Sequence, residues 1–114
     1  MGSQEERVFK RDGVAVVVLD GFVPDDTLSV LLGAPTIGRR SVIGVLAAPL
    51  GRLGYRVSTS VSVSNRGDGH AGRIALVARR GEEVLALEQS DRAKSRAKLE
   101  AFEGATARVI VRAA

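Results

Sequence analysis

A single acidic side chain, Glu88, ends an apolar run and is followed at once by polar and cationic residues, and it is the residue at which this sequence predicts chemistry. In a strand over residues 84–88, Glu88 shares a face with Ala86, whereas Leu87 lies on the other face. An acid therefore terminates a face that is otherwise apolar. The plain alternative is that Glu88 ends the strand at the solvent edge and pairs with a nearby arginine.

A hairpin would position Glu88. The runs Ile74–Ala78 and Val84–Leu87 have the length of strands and leave no room for a helix. Between them, Arg79–Glu82 contains a glycine and carries a turn signal. The sequence therefore predicts two antiparallel strands, with Glu88 at the end of the second.

A basic helix should follow the hairpin. Ser90 or Asp91 offers an N-cap to a segment rich in Ala, Arg, Lys, Leu and Glu, and Gly104 stands where a helix favours a left-handed residue at its C-terminus. The apolar seam of this helix is narrow and has cationic residues on both sides. Arg108–Arg112 predicts a last strand after it, which the helix should bring parallel to the second strand of the hairpin.

The N-terminal part predicts a small hairpin and a short helix. Val14–Leu19 is a β-branched run without alternation, which is typical of a strand covered on both faces. Val8 and Phe9 can pair with it across a turn at Asp12–Gly13. Residues 24–33 have a proline at the start, acids in the first turn and a glycine at the end, as a short helix would.

A longer helix and a clear strand come next. Thr36 caps a segment whose apolar residues recur with the spacing of one buried stripe, and Pro49 interrupts it. Tyr55–Val63 alternates apolar with polar residues and predicts a strand with one wet face, which should pair antiparallel with Ile74–Ala78. The two helices joined by a short loop also allow a helix-turn-helix interpretation, with Arg39 and Arg40 at the start of the second helix.

Composition limits the class of protein. The chain has 114 residues, of which 45% are hydrophobic, and it has no cysteine, so disulfides and thiolate metal sites are excluded. Its 17 Lys and Arg exceed its 13 Asp and Glu, giving a net charge of +4, and most of the cations are arginine. Arginine can hold phosphate through two parallel hydrogen bonds, which favours an anionic partner such as nucleic acid. An arginine-rich but ordinary solvated surface would give the same count.

Other residues that could form sites give weaker signals. His70 is the only histidine and has no neighbouring zinc ligands, so we expect a solvated loop residue. The glycines of 67–72 do not lie between a strand and a helix, as a dinucleotide-binding loop requires. Only Tyr55 and Phe22 among the aromatic residues are expected at the surface, which leaves little for stacking on bases.

The predicted order from Thr36 onward is helix, strand, strand, strand, helix, strand. This αβββαβ order, over residues 36–112, resembles the core of the PD-(D/E)XK nuclease superfamily, the restriction-endonuclease-like fold. The segment GRIALVA at 72–78 is also similar to the form G-R-I-D-L-V-A, which is followed by a turn, an apolar strand, a glutamate and a helix ending in Lys-Leu. The resemblance implies a DNA nuclease in which two acids bind divalent metal and a lysine orients the attacking water.

The resemblance assigns roles residue by residue. Only Glu88 matches one of the catalytic positions directly, as a metal ligand. The first acid of the family falls on Ala75, and the lysine falls on Ser90. Some members take the lysine from the following helix, so Lys94 or Lys98 would supply it here.

The loss of an acid at position 75 bears on metal binding. Asp68 in the preceding loop or Asp91 would be the replacement metal ligand. With one carboxylate the site should bind Mg²⁺ or Mn²⁺ weakly, because these hard cations depend on several oxygen ligands. Cations around the site would hold phosphates beside the scissile bond, or they serve only solubility: Arg66, Arg73, Lys94 and Lys98.

We therefore expect an α/β domain with a restriction-endonuclease-like αβββαβ core over 36–114 and an N-terminal β-hairpin and short helix over 1–35 in the same domain. The predicted function is a metal-dependent DNA nuclease, phage-like in character and inactive or weakened in this form. The alternatives are a non-catalytic DNA-binding or assembly module and a structural protein. The expected partner is DNA, with a homodimer left open and no membrane. The N-terminus has no pattern of a signal sequence, so the expected location is the cytoplasm.

Overall fold

The computed structural model describes residues 6–34, 42–64 and 71–114. These residues form six strands and three helices. In chain order they are β1 (Arg7–Arg11), β2 (Val14–Gly21), α1 (Asp25–Leu32), α2 (Val42–Arg52), β3 (Arg56–Ser64), β4 (Ala71–Arg80), β5 (Glu83–Glu88), α3 (Ala93–Ala101) and β6 (Ala107–Ala113).

All six strands belong to one mixed sheet in the order β1-β2-β6-β5-β4-β3. The predicted antiparallel pairs β3–β4 and β4–β5 are both present. The last strand, β6, lies parallel to β5, as predicted for a connection that crosses over through α3. A mixed α/β fold is therefore confirmed.

The N-terminal hairpin is part of the same sheet. Its turn has positive φ at both Asp12 (48°) and Gly13 (85°), which is the geometry of a tight type I′ hairpin turn. β2 then pairs antiparallel with β6. All five residues from Val14 to Val18 are buried, as expected for a β-branched run covered on both faces.

Two apolar layers lie on opposite faces of the sheet. The α1/α2 layer contains Leu31 and Leu46 from the helices and Leu76, Leu85 and Val109 from the strands. The α3 layer on the other face is smaller and is centred on Leu99 of α3. Its strand members are Val17, Val63, Ile74, Val77, Ala86 and Ile110.

Helices α1 and α2 follow the predicted segments. α1 begins after Pro24 with two acids in its first turn and ends before Gly33. α2 contains Pro49. The predicted cap Thr36 and the two arginines of the helix-turn-helix interpretation lie outside the described residues. None of the helices in the described part of the chain is long and apolar enough to cross a membrane.

The predicted N-cap of α3 is wrong. The residue at the N-cap position is Arg92, and no side-chain hydrogen bond caps the helix there. The Ser90 hydroxyl is instead hydrogen-bonded to the Ser95 hydroxyl at 2.9 Å, and the Asp91 carboxylate accepts hydrogen bonds from Arg96. A charged partner within reach thus competes successfully with the backbone amides for the aspartate.

The C-terminus of α3 is fixed by a residue of β6. Arg108 donates from Nε to the Leu99 carbonyl at 2.6 Å and from Nη2 to the Phe102 carbonyl at 2.7 Å. Its third nitrogen forms an ion pair with Asp20 at 3.1 Å. One arginine therefore donates to two carbonyls at the end of the helix, where backbone donors become scarce, and the Leu99 carbonyl also accepts from the backbone N–H of Phe102.

Candidate functional site at the open end of the β4–β5 hairpin

Glu88 lies at the end of β5 and is 5% exposed. The last paired residues of the hairpin are Leu76 and Leu87, so Ala75 stands next to Glu88 across the two strands. The backbone N–H of Ala75 donates a hydrogen bond to Oε2 of Glu88 at 2.9 Å. The structure thus brings together the two positions that the sequence analysis linked.

The paired strands β3 and β4, here called the β3–β4 ribbon, exchange their two faces beside Glu88. Leu76 packs in the α1/α2 layer, whereas Ile74, two residues earlier, packs in the α3 layer. Residues two apart in a strand normally share a face. On β3 the change of face falls at Ser60, which has a φ of 53° and stands opposite Ala75. The part of the ribbon beyond this point, which contains Val63 and Ile74, therefore packs in the α3 layer, next to the Glu88 carboxylate.

Lys98 of α3 supplies the charge that balances Glu88. Its ammonium lies 3.3 Å from Oε2 of Glu88 and donates to the Arg73 carbonyl at 2.9 Å. Its stem passes over Gly72, where an added Cβ would come within 2.9 Å of Cγ and Cδ of the lysine. The glycine therefore leaves the room through which Lys98 reaches the carboxylate.

These contacts neutralise the site from within the chain. The Glu88 carboxylate has a hydrogen-bond donor from Ala75 and a cation from Lys98, while its side chain is 6% exposed. A buried carboxylate is stable only when it is paired in this way. The sequence left open an ion pair between Glu88 and an arginine. In the structure the partner of Glu88 is a lysine, Lys98.

The side chain of Ala75 points to a different layer. It packs against the α1/α2 core, whereas Glu88 meets Lys98 on the α3 side. A carboxylate built on Cβ of residue 75 would therefore start in an apolar layer and not beside Glu88. The two positions are adjacent along the backbone, but the change of face, which the sequence does not reveal, directs their side chains to different layers.

The other predicted ligands do not join Glu88. Both carboxylate oxygens of Asp91 accept hydrogen bonds from Arg96, which holds the pKa of Asp91 below its ordinary value. Asp68, Arg66 and His70 lie outside the described residues. Within the part of the chain that the structure describes, no three acidic or histidine side chains converge where they could hold a metal ion.

The predicted cations of the site separate into two kinds. Lys98 forms an ion pair with Glu88. Arg73 and Lys94 are both exposed, and neither forms an ion pair with an acid of the described residues. Only the backbone carbonyl of Arg73 takes part in the site.

A second polar cluster, which the sequence analysis missed, lies at the turn end of the same hairpin. We call it the turn-end network, and it consists of Asp26, Thr27, Tyr55, Arg80 and Glu83. The expectation that Tyr55 is exposed is wrong, since it is 5% exposed. Its hydroxyl is hydrogen-bonded to Thr27 at 2.7 Å and donates to Glu83 at 2.8 Å. The alternation that runs from Tyr55 through Val57 into β3 was the signal that could have placed Tyr55 in the core.

Arg80 joins the parts of the turn-end network. It forms ion pairs with Asp26 at 3.0 Å and Glu83 at 3.2 Å, and its guanidinium lies 4.4 Å from the centre of the Tyr55 ring. The hydrogen bond from Arg80 lowers the pKa of Asp26, and burial raises the pKa of Tyr55 to about 12. The network ties α1 to β3 and to the hairpin.

Comparison of the chain with protein-family models, curated proteins and solved structures finds no match.

Proposed function

We propose that this chain is a DNA-binding module with a restriction-endonuclease-like core and no efficient metal-dependent cleavage. The observation that carries the proposal is that some of its cations form ion pairs with acids and others do not. Arg80, Arg96, Arg108 and Lys98 all have acidic partners. A second set, outside the N-terminal hairpin, is exposed and forms no ion pair with any acid of the described residues: Arg52, Arg56, Arg73, Arg79, Arg92 and Lys94.

Exposed arginines and lysines of this kind favour a polyanion. Phosphate contacts release counterions from DNA and supply most of the affinity of binding that does not depend on sequence. Arginine adds a planar fork that matches the phosphate oxygens. The net charge of +4 acts in the same direction.

The contacts of Glu88 support binding without catalysis. A divalent cation at this carboxylate would have to displace the Lys98 ammonium from a buried position. It would also need further oxygen ligands, and the described residues contribute none within one cluster. The pair of Glu88 and Lys98 is better explained as a structural contact between α3 and the sheet.

The connectivity supports the proposed core. From α2 onward the elements follow in the order α2, β3, β4, β5, α3, β6, and the crossover through α3 joins parallel strands. This agrees with the αβββαβ order on which the resemblance rests. β1, β2 and α1 would then be an extension beyond that core.

A salt titration of DNA binding tests the proposal. Fluorescence anisotropy of a labelled duplex of random sequence should show binding at about 50 mM salt, with log K falling by roughly 0.9 per phosphate contacted for each decade of salt. Three or four contacts give a slope of about −3 to −4. Absence of binding at about 50 mM salt, or binding that salt does not weaken, would overturn the proposal.

A weak nuclease is the second candidate, because Glu88, position 75 and a helical lysine do meet at one point. Under this alternative, Ala75→Asp adds an oxygen ligand and should tighten Mn²⁺ binding, measured by calorimetry. Under the main proposal, the new carboxylate enters the α1/α2 layer, so the variant loses stability and gains no metal affinity. The two outcomes separate the candidates.

A further inference from the structure

Two arginines face each other across neighbouring strands at the edge of the sheet. Arg56 of β3 and Arg79 of β4 are direct partners in the strand register, and both are exposed. In an antiparallel pair, side chains directly opposite each other point to the same face and have Cβ atoms about 5 Å apart. The two guanidinium groups therefore share one small area of surface.

The neighbouring residues show which face this is. Tyr55 and Val57, on either side of Arg56, pack in the α1/α2 layer. Ala78 packs there too, and Arg80 belongs to the turn-end network on that side. Arg56 and Arg79 therefore project from the opposite face, on the α3 side of the sheet. Ser58 is exposed on the same face, two residues along β3 from Arg56.

The arrangement costs stability when no anion is present. Like charges directly opposite each other in a sheet are destabilising. The described residues place no acid in an ion pair with either arginine, in contrast to Arg80 beside them, which has two. An anion between the two guanidinium groups would remove the repulsion and accept hydrogen bonds from both.

The position is well separated from the buried carboxylate. Arg79 and Ala75 are four residues apart on β4, or roughly 13 Å at about 3.3 Å per residue. The Glu88 carboxylate is in addition balanced by Lys98. It therefore does not repel an anion at Arg56 and Arg79.

We infer that Arg56 and Arg79 form a phosphate clamp that holds the backbone of duplex DNA against the α3 face of the sheet, with the Ser58 hydroxyl as an additional donor. The inference rests on the proposed function and identifies the contact within it. It differs from the contact surface predicted from the sequence, which lay around Arg73, Lys94 and Lys98. Guanidinium and hydroxyl contacts to phosphate position a duplex without reading its bases, so the clamp should not select a sequence.

The test compares two double variants that remove equal charge. R56Q/R79Q removes the clamp, and K10Q/R11Q removes two exposed cations from β1, at the opposite edge of the same sheet. Anisotropy with the labelled duplex should show at least a roughly tenfold loss of affinity in R56Q/R79Q and a salt slope less steep by about 1 to 2. K10Q/R11Q should stay within about threefold of the parent in affinity, with a slope changed by less than about 0.5.

A stability measurement checks the fold of the variants and the repulsion together. Thermal unfolding followed by circular dichroism should show R56Q/R79Q at least as stable as the parent, because the like-charge pair is gone. Addition of the duplex should raise the melting temperature of the parent more than that of R56Q/R79Q. Lower stability of R56Q/R79Q without DNA would contradict the repulsion on which the clamp is argued.

The outcomes separate the clamp from the proposed function. If the parent binds DNA and both double variants lose affinity equally, the clamp is overturned and DNA binding stands. If the parent does not bind DNA at about 50 mM salt, both fall. A selective loss in R56Q/R79Q supports both.

Discussion

The two ends of the β4–β5 hairpin hold charged groups in different ways. At the turn end, Arg80 is shared between two acids and a tyrosine ring, and Asp26 and Glu83 keep 49% and 37% of their side chains exposed. At the open end, Glu88 is 6% exposed and has one cation, Lys98. Water can replace a lost partner at the turn end, whereas the open end depends on a single ion pair.

Under the proposed function, this difference explains how a buried acid can stabilise the fold without being catalytic. An isolated buried carboxylate in a cleft is a reasonable candidate for chemistry. Here the lysine that a nuclease would use to orient water instead reaches the carboxylate itself. Under the proposed function, the same residue types form a structural contact.

Loss of Lys98 should have the largest effect. Lys98→Met keeps the apolar stem over Gly72 but leaves Glu88 buried without a cation. The free energy of unfolding should fall by about 2 to 4 kcal/mol. This is at the lower end for a broken buried ion pair, because the Lys98 side chain is 31% exposed. Urea unfolding measures the loss. Glu88→Gln in the same chain should recover most of it, since a neutral amide can still accept the hydrogen bond from Ala75. No recovery in the double variant would show that the pair is not what stabilises this end.

The matching change at the turn end should cost less. Arg80→Met leaves two acids that are already partly hydrated, and the Tyr55 hydroxyl keeps its hydrogen bonds to Thr27 and Glu83. Urea unfolding under the same conditions should therefore give a smaller decrease than Lys98→Met. A larger decrease would reverse the comparison between the two ends.

Alkaline pH should weaken the turn end through Tyr55. The pKa of Tyr55 is raised from 10.0 to about 12, because burial favours the neutral hydroxyl. Its contribution is complete below pH 10 and is lost as the pH rises toward 12, so the parent should lose about 1 kcal/mol between pH 9 and pH 11 through this residue. Tyr55→Phe should lack that part of the pH dependence. Parallel pH curves for the two proteins would disprove the assignment.

A small change at Gly72 tests the path of Lys98. Gly72→Ala places a Cβ 2.9 Å from the lysine stem and should cost about 1 kcal/mol through displacement of Lys98. Gly51→Ala in α2 is the control, because nothing lies within 4 Å of the added Cβ, and it should be neutral or stabilising by about 0.5 kcal/mol. Equal effects of the two substitutions would indicate that the lysine stem is not confined by Gly72.

Local patterns were sufficient to predict most of the sheet. Strands are specified here by patterns among neighbouring residues: the alternation of Tyr55–Val63 and the β-branched run at Val14–Leu19. The turn at Gly81 marks where one strand of the hairpin ends and the next begins. The pairings of β3, β4, β5 and β6 followed from those strands and from the crossover rule for parallel neighbours. The position of Glu88 at the end of a covered strand was predicted for the same reason.

The chemistry of the site depended on features without a local signal. Ser60 stands within a regular alternation, yet its left-handed backbone accompanies the change of face that directs the side chains of Ala75 and Glu88 to different layers. Lys98 was predicted as a cation of the site, but its pairing with Glu88 depends on how α3 lies against the ribbon. Sequence periodicity does not contain that information, because it comes from contacts between distant elements.

The most direct test of the account is one incubation of the protein with a labelled duplex and Mn²⁺, at a salt concentration where anisotropy shows the DNA to be bound. The account predicts that the duplex is bound and remains intact, in the parent and in Glu88→Gln alike. Cleavage by the parent that disappears in Glu88→Gln would contradict it, because Glu88 would then act on the phosphodiester and not only on Lys98.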